Sequence, residues 1–384
     1  MSRKKIAVLM DWYLPGTKAG GPVRSVYSLM NLLKNDFDFY LVTTNHDLGS
    51  PDCYEKVAPN TWREHDGIHY YYFSDSELND HHLLKLLNDL GPDLVYLNSF
   101  WSYHFSIGPV RAKSKGQLKA PVLLAPRGML GKGALGLKSY KKQAYLLVTR
   151  IMGWYKAVAF HATQEHEKKD ILAKFPSAGI HVAPNINSSA VVENKSHKLP
   201  GQLKLFFLSR VDRVKNLHMA LEVLQSVPAG CHVAYDIFGN LENKEYWSQC
   251  QELIKKLPAH ITVAYKGELP FHEVQQTICH YHFLFLPTLN ENFGHSIVES
   301  LLCGCPAIIS DQTPWTDLEA HHAGYAIPLA EKQRFADAIA RSAALDQEQF
   351  SRQSNAAIEY IRKKIDLQAI HARYKTLLNE CIKN

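Results

Sequence analysis

Five consecutive apolar residues, Ile6-Ala7-Val8-Leu9-Met10, run into a loop holding Pro15, Gly16, Gly20, Gly21 and Pro22, and that loop runs into helical spacing over 23–33. Residues 37–44 then read as a second strand. Strand, glycine loop, helix and strand open a βαβ unit, the building block of α/β layers. The segment 46–76 is rich in Tyr and His without a long period and reads as loop with short strands. Helical spacing returns at Leu83, Leu84, Leu87 and Leu90, Gly91-Pro92 stops it, and strands are expected at 93–97, 118–125 and 157–162.

A polar stretch between Pro184 and Pro200 lacks periodicity and is the expected crossover between domains. Beyond it the alternation restarts. Strands are expected at 203–208, 232–238, 261–265, 283–287 and 307–310, with helices at 217–224, 247–256, 271–279 and 296–302 between them. Helical patterns at 335–344, 347–361 and 368–381 close the chain. With 384 residues, and roughly 150 residues per domain as a guide, two substantial domains are the economical reading. The expected boundaries are 1–190, 201–364, and a last helical segment 365–384 returning to the first domain. Two such sheets facing across a cleft would direct the carboxyl ends of their strands toward a ligand.

Composition narrows the partners. Seven cysteines are too sparse for a disulfide framework, and no stretch approaches the roughly 20 apolar residues that cross a bilayer, so a cytoplasmic location is expected. Lys plus Arg number 43 against 37 Asp plus Glu, a net charge of +6, which suits phosphate-bearing substrates or an anionic membrane surface and is too small to imply nucleic acid.

Three segments could carry chemistry. Gly20-Gly21 lets backbone approach an anion at a helix start and equally suits a tight turn; it is neither a dinucleotide fingerprint nor a phosphate loop of the NTPase kind. Arg210 and Lys215, at a strand end, are the donors needed to neutralise a departing diphosphate, or part of a solvated charge run beside Asp212. The densest segment is Asn290-Glu291-Asn292-Phe293-Gly294-His295 with Glu299 eight positions after Glu291, where two acids and helix-start amides could serve one extended ligand.

On these residues the chain resembles retaining glycosyltransferases of family 4, with the two-Rossmann-like-domain α/β architecture called GT-B, and most resembles bacterial members that build exopolysaccharide or lipopolysaccharide. The Glu-seven residues-Glu pattern matches Glu291 and Glu299, the basic pair matches Arg210 and Lys215, and the amino-terminal glycine loop matches Gly20 and Gly21. The resemblance implies that Glu291 and His104 orient a transferred hexose and that Arg210 and Lys215 stabilise the leaving nucleotide diphosphate. It further implies that Asn292, Phe293 and Gly294 offer backbone to sugar and phosphates, that Glu299 meets the ribose, and that Gly267 and Leu269 lie near the nucleobase. Asn292 stands where the wider family often has glycine. The implied reaction is metal-independent and needs no cofactor: a UDP-sugar, UDP-glucose or a related UDP-hexose, donates to a glycan or lipid-linked acceptor in cell-envelope polysaccharide synthesis. Neither acid is expected to be a covalent nucleophile.

Other residues admit two readings. Arg127 could contact an anionic acceptor or fix a salt-bridged turn, and lysines from Lys132 to Lys156 could meet anionic lipid at the inner membrane or form a solvated helix face. Trp101 and Tyr103 could stack on a sugar or wall the fold, while His161, His166, His321 and His322 have no zinc-ligand spacing. A UDP-sugar epimerase of the same general architecture is the alternative enzyme; a sugar phosphorylase and a noncatalytic nucleotide-sugar-binding module are weaker ones.

Overall fold

The computed structural model describes residues 3–16, 18–131, 139–187 and 190–383. The chain forms two compact units, Met1–Ser188 with Leu367–Asn384, and Ser189–Asp366.

The first unit holds β1 (Lys4–Leu9), β2 (Phe37–Thr44), β3 (Trp62–His65), β4 (Ile68–Phe73), β5 (Leu94–Leu97), β6 (Val122–Leu124), β7 (Val158–Ala162) and β8 (Ile180–Val182). They form one sheet in the order β3-β4-β2-β1-β5-β6-β7-β8. Every pairing is parallel except β3 with β4, a hairpin closed by Asp66-Gly67, both with positive φ. Such a pair matches the twist of adjoining strands, and the short strands expected in the Tyr-rich segment form this hairpin. Helices cover the sheet, and all four residues of β5 are buried, as a two-sided parallel sheet requires. The helix Leu367–Lys383 belongs to this unit: Arg373 donates to the carbonyl of Val182 at 2.6 Å and the Tyr374 hydroxyl to that of Pro184 at 2.8 Å.

In the second unit β9 (Gln202–Leu208), β10 (His232–Phe238), β11 (Ile261–Gly267), β12 (Phe283–Leu286), β13 (Ala307–Ser310) and β14 (Gly324–Ile327) lie in the order β11-β10-β9-β12-β13-β14, all parallel. This is the doubly wound order in which the chain works outward from β9 in one direction, returns, and works outward from β12 in the other. The ends of β9 and β10 approach closely, and a Cβ at Gly239 would stand 1.8 Å from the Ser209 carbonyl oxygen. Only glycine fits there, and its φ of 145° is equally its own.

Candidate active site

In an open parallel sheet the loops after the two central strands diverge, leaving a recess at the strands' carboxyl ends. In the second unit those loops follow β9 and β12, and they carry the basic pair and the Glu291 segment. Three hydrogen bonds fasten one loop to the other. The Leu289 amide donates to the Val214 carbonyl at 2.8 Å, the Thr288 hydroxyl donates to the same oxygen at 3.1 Å, and the Asn216 side chain donates to the Pro287 carbonyl at 2.9 Å. Asn216 adopts a left-handed φ of 60°, a turn its short amide tolerates. Asp212 caps the intervening turn by accepting from the Lys215 amide at 2.9 Å.

The fastening brings Lys215 Nζ onto Glu291 Oε1, in a pair whose two side chains are nearly enclosed. Glu291 is steadied further by its amide, which donates to the Gln312 carbonyl at 3.0 Å. Arg210 turns instead to Glu242, reaching its carboxylate oxygens at 2.9 and 3.0 Å, with Asp212 at 3.5 Å. Burial opposes the Arg210 charge, but Glu242, Asp212 and Glu291 outweigh it and raise its pKa. The cluster is therefore charge-compensated as it stands. Glu242, which the sequence reading passed over, is part of that compensation.

Gly294, at φ 77°, ends the loop and starts the helix His295–Leu302. Its missing Cβ would lie 2.8 Å from Ile297, so glycine sets how tightly the loop enters the helix. Phe293 is held from behind: the Trp315 indole donates to its carbonyl at 2.5 Å and meets its ring edge-on. Asn292 is partly exposed beside it, whereas Glu299 is buried on the helix. Gly267 ends β11 at φ 83°, its carbonyl accepting from the Gly239 amide at 2.8 Å, and Leu269 packs on the core just beyond.

The remaining site candidates lie in the first unit, where β1 and β5 are the diverging central strands. After β1 comes Asp11, whose carboxylate accepts from Ser102 at 2.6 Å; burial raises its pKa against that bond and the nearby His104. Gly20, at φ 67°, and Gly21 lead into the helix Gly21–Leu33. After β5, His104 sits on a one-turn π-helix, Tyr103–Ile107, with Nδ1 facing Asp80 at 3.1 Å. A carboxylate there selects the Nδ1–H tautomer and leaves Nε2 as the ring's accepting nitrogen. The other Asp80 oxygen accepts from Arg111 at 2.6 Å. Tyr103 is exposed, and Trp101 is half-buried against Tyr145.

Arg127, at φ 55°, spends its guanidinium on neutral oxygens: Asn185 and Asn98 at 2.6 Å each and the Tyr96 hydroxyl at 3.1 Å. Tyr96 in turn meets His161 at 2.7 Å. Burial, then Arg127, pushes the His161 pKa down to about 3, which keeps the ring neutral. His166 and His321 each face one aspartate at 3.5 Å. Among the described residues no group of three or more His, Cys, Asp or Glu could hold a metal ion. Lys132 and Lys138 lie outside the described residues.

Residues 190–364 match the family model of glycosyl transferases group 1. No curated protein matches the chain. Among solved structures it is similar to Alr3699/HepE of Anabaena in complex with UDP and glucose, at 15% identity and a TM-score of 0.71 over 98% of this chain and 100% of that one. It is also similar to sucrose-phosphate synthase of Thermosynechococcus elongatus, at 15% identity and 0.67 over 98% and 99%. A third is WaaG, a glycosyltransferase involved in lipopolysaccharide biosynthesis, at 11% identity and 0.63 over 97% and 99%. The chain has the GT-B architecture of two Rossmann-like α/β domains, and its second domain is similar to the glycosyl transferases of group 1.

Proposed function

We propose that this chain is a retaining glycosyltransferase of family 4 that moves a hexose, glucose from UDP-glucose, onto a glycan or lipid-linked acceptor in cell-envelope polysaccharide synthesis, working from the cytoplasm and in contact with the inner membrane. The observation that carries the reading is the Lys215–Glu291 pair clamped beside Arg210 at the divergence of β9 and β12. The similar structures support the reading: Alr3699/HepE is found in complex with UDP-glucose, and WaaG is involved in lipopolysaccharide biosynthesis.

In this reading the diphosphate displaces Glu291 from Lys215 and Glu242 from Arg210, so that both cations meet the charge that grows on the leaving group. Cations already positioned require little reorganisation as the bond breaks, which is the source of the rate gain. Glu291, released from Lys215, accepts hydrogen bonds from sugar hydroxyls, and His104 Nε2 accepts another. Asn292, Phe293 and Gly294 offer backbone amides, Glu299 meets the ribose, Gly267 and Leu269 flank the base, and Gly20, Gly21 and Arg127 serve the acceptor side. No metal is needed, because the two cations carry the neutralisation.

The test is calorimetric titration of UDP-, GDP- and ADP-sugars, followed by product analysis with short glycans and a lipid extract. Selective UDP-glucose binding, nucleotide release only with acceptor, and a retained anomeric configuration by NMR are expected. Conversion of one sugar nucleotide into another without acceptor would replace this reading with the epimerase.

A further inference from the structure

Residues 94–164 contain 11 Lys plus Arg and no Asp or Glu, leaving 32 basic against 37 acidic residues in the rest of the chain. The net positive charge of the protein thus resides in this one stretch of the first unit, and within it lies the helix Ser139–Ile151. One face of that helix is already docked. Leu146 and Thr149 are buried, and the Tyr145 hydroxyl meets that of Tyr155 at 2.9 Å while its ring packs edge-on against Trp101. The opposite face is open: Tyr140 is 73% exposed, Leu147 60%, Val148 50%, Ile151 77%, and Met152, just past the helix, 60%.

At about 100° per residue, positions 140, 144, 147 and 151 fall within a stripe roughly 60° wide, Val148 borders it, and Lys141 and Arg150 flank it on opposite sides. An apolar stripe edged by cations fits the boundary of an anionic bilayer, where side chains enter the acyl region and flanking cations meet lipid phosphates. A second copy of this chain would set the same cations against each other, and a nucleic acid would leave the stripe uncovered.

We propose that the outer face of helix Ser139–Ile151 is a membrane-docking surface that inserts Tyr140, Leu147, Val148 and Ile151 into the interface of an anionic lipid bilayer. This rests on, and names the surface for, the membrane contact in the functional reading above. It does not depend on glycosyl transfer.

The full chain is mixed, without sugar nucleotide, with vesicles of phosphatidylcholine alone or with phosphatidylglycerol, and pelleted. Much tighter binding to the anionic vesicles is expected, weakened but not abolished by salt, since burial of the apolar stripe is not screened. The double substitution Leu147→Glu with Ile151→Glu alters two exposed side chains and should lower partitioning about tenfold or more, because it removes apolar contact and adds like charge to the bilayer. Its UDP-glucose titration should match the parent's; Lys141→Gln with Arg150→Gln provides a second variant that leaves the stripe intact and should also lower partitioning about tenfold. No binding to either vesicle, equal binding to both, or undiminished binding by both variants would overturn the proposal. Self-association abolished by the double substitution, with vesicles left unbound, would overturn it in favour of a second copy. Loss of UDP-glucose binding with vesicle binding intact would sink the functional reading and leave this one standing.

Discussion

The two domains repeat one topological device and fill it with opposite chemistry. Each sheet diverges at its central strands, β1 and β5 in the first unit, β9 and β12 in the second. At the second divergence strong ions face one another, Lys215 with Glu291 and Arg210 with Glu242. At the first, a partly buried carboxylate is bonded to a serine, and a histidine is steered by Asp80. The fold repeats the divergence, while the side chains on a few loop positions set the charge found there.

Glu291→Gln tests the charged half most severely. It should lower kcat/KM by about 10²–10³-fold, the usual loss when one group of a preorganised electrostatic site is removed, with the fold intact by circular dichroism. Full activity would end the role assigned to Glu291. Gly239→Ala attacks the frame beneath that half. Its Cβ meets the Ser209 oxygen at 1.8 Å, so denaturant unfolding should show a loss of about 3 kcal/mol or more; an unchanged midpoint would show that β9 and β10 can part at little cost.

A pH series compares the two frames directly. The folded-state pKa of His161 is about 3 and that of His282, buried in the second unit, about 4, both below the usual imidazole value of 6.5. Each ring binds its proton more readily unfolded, so each contributes stability in full above 6.5 that is lost as pH falls through the window, at up to about 1.4 kcal/mol per pH unit per ring. Hydrogen exchange followed by mass spectrometry should show the second domain's acid slope levelling near pH 4 and the first continuing toward pH 3. His161→Gln should flatten only the first.

The first-domain half is expected to be gentler on change. Asp80→Asn should cost about tenfold in kcat/KM, less than His104→Gln, because it loosens the imidazole rather than deleting it. An equal loss for both would make Asp80 as direct a participant as His104. Smallest of all, Glu242→Gln frees Arg210 from a half-exposed pair worth under about 1 kcal/mol, so donor KM should fall about threefold. A rise in KM would mean that Glu242 aims Arg210 rather than competing for it.

The long buried strands were legible because a parallel strand covered on both faces reads as an apolar run, as in Phe283–Leu286 and Ile6–Leu9. The edges were not. Ile180-His181-Val182 and Gly324-Tyr325-Ala326-Ile327 are too short and mixed to announce themselves, and it is the neighbouring strand that makes them strands. The helix Glu165–Lys174 is mostly charged, so it has no apolar period to detect. The same asymmetry holds at the candidate site. Arg210, Lys215 and Glu291 could be picked out from strand-end positions, but the carboxylates that hold Arg210 and His104 lie 32 and 24 residues away in sequence. Such partners become visible only once the chain is folded. Asp66-Gly67 is different: an Asp-Gly pair is a hairpin signal readable in the sequence itself.

The helix Leu367–Lys383 completes the first domain, and this gives the molecule an order of assembly. Its Arg373 and Tyr374 take up carbonyls at the end of β8, and His371 and Lys375 both pair with Asp36 beside the start of β2. All of those partners leave the ribosome early, whereas the helix is made only after the whole second domain. The half of the protein synthesised first must therefore wait with one side unfinished, and its carbonyls in water, until the half synthesised second has passed by and delivered the closing piece.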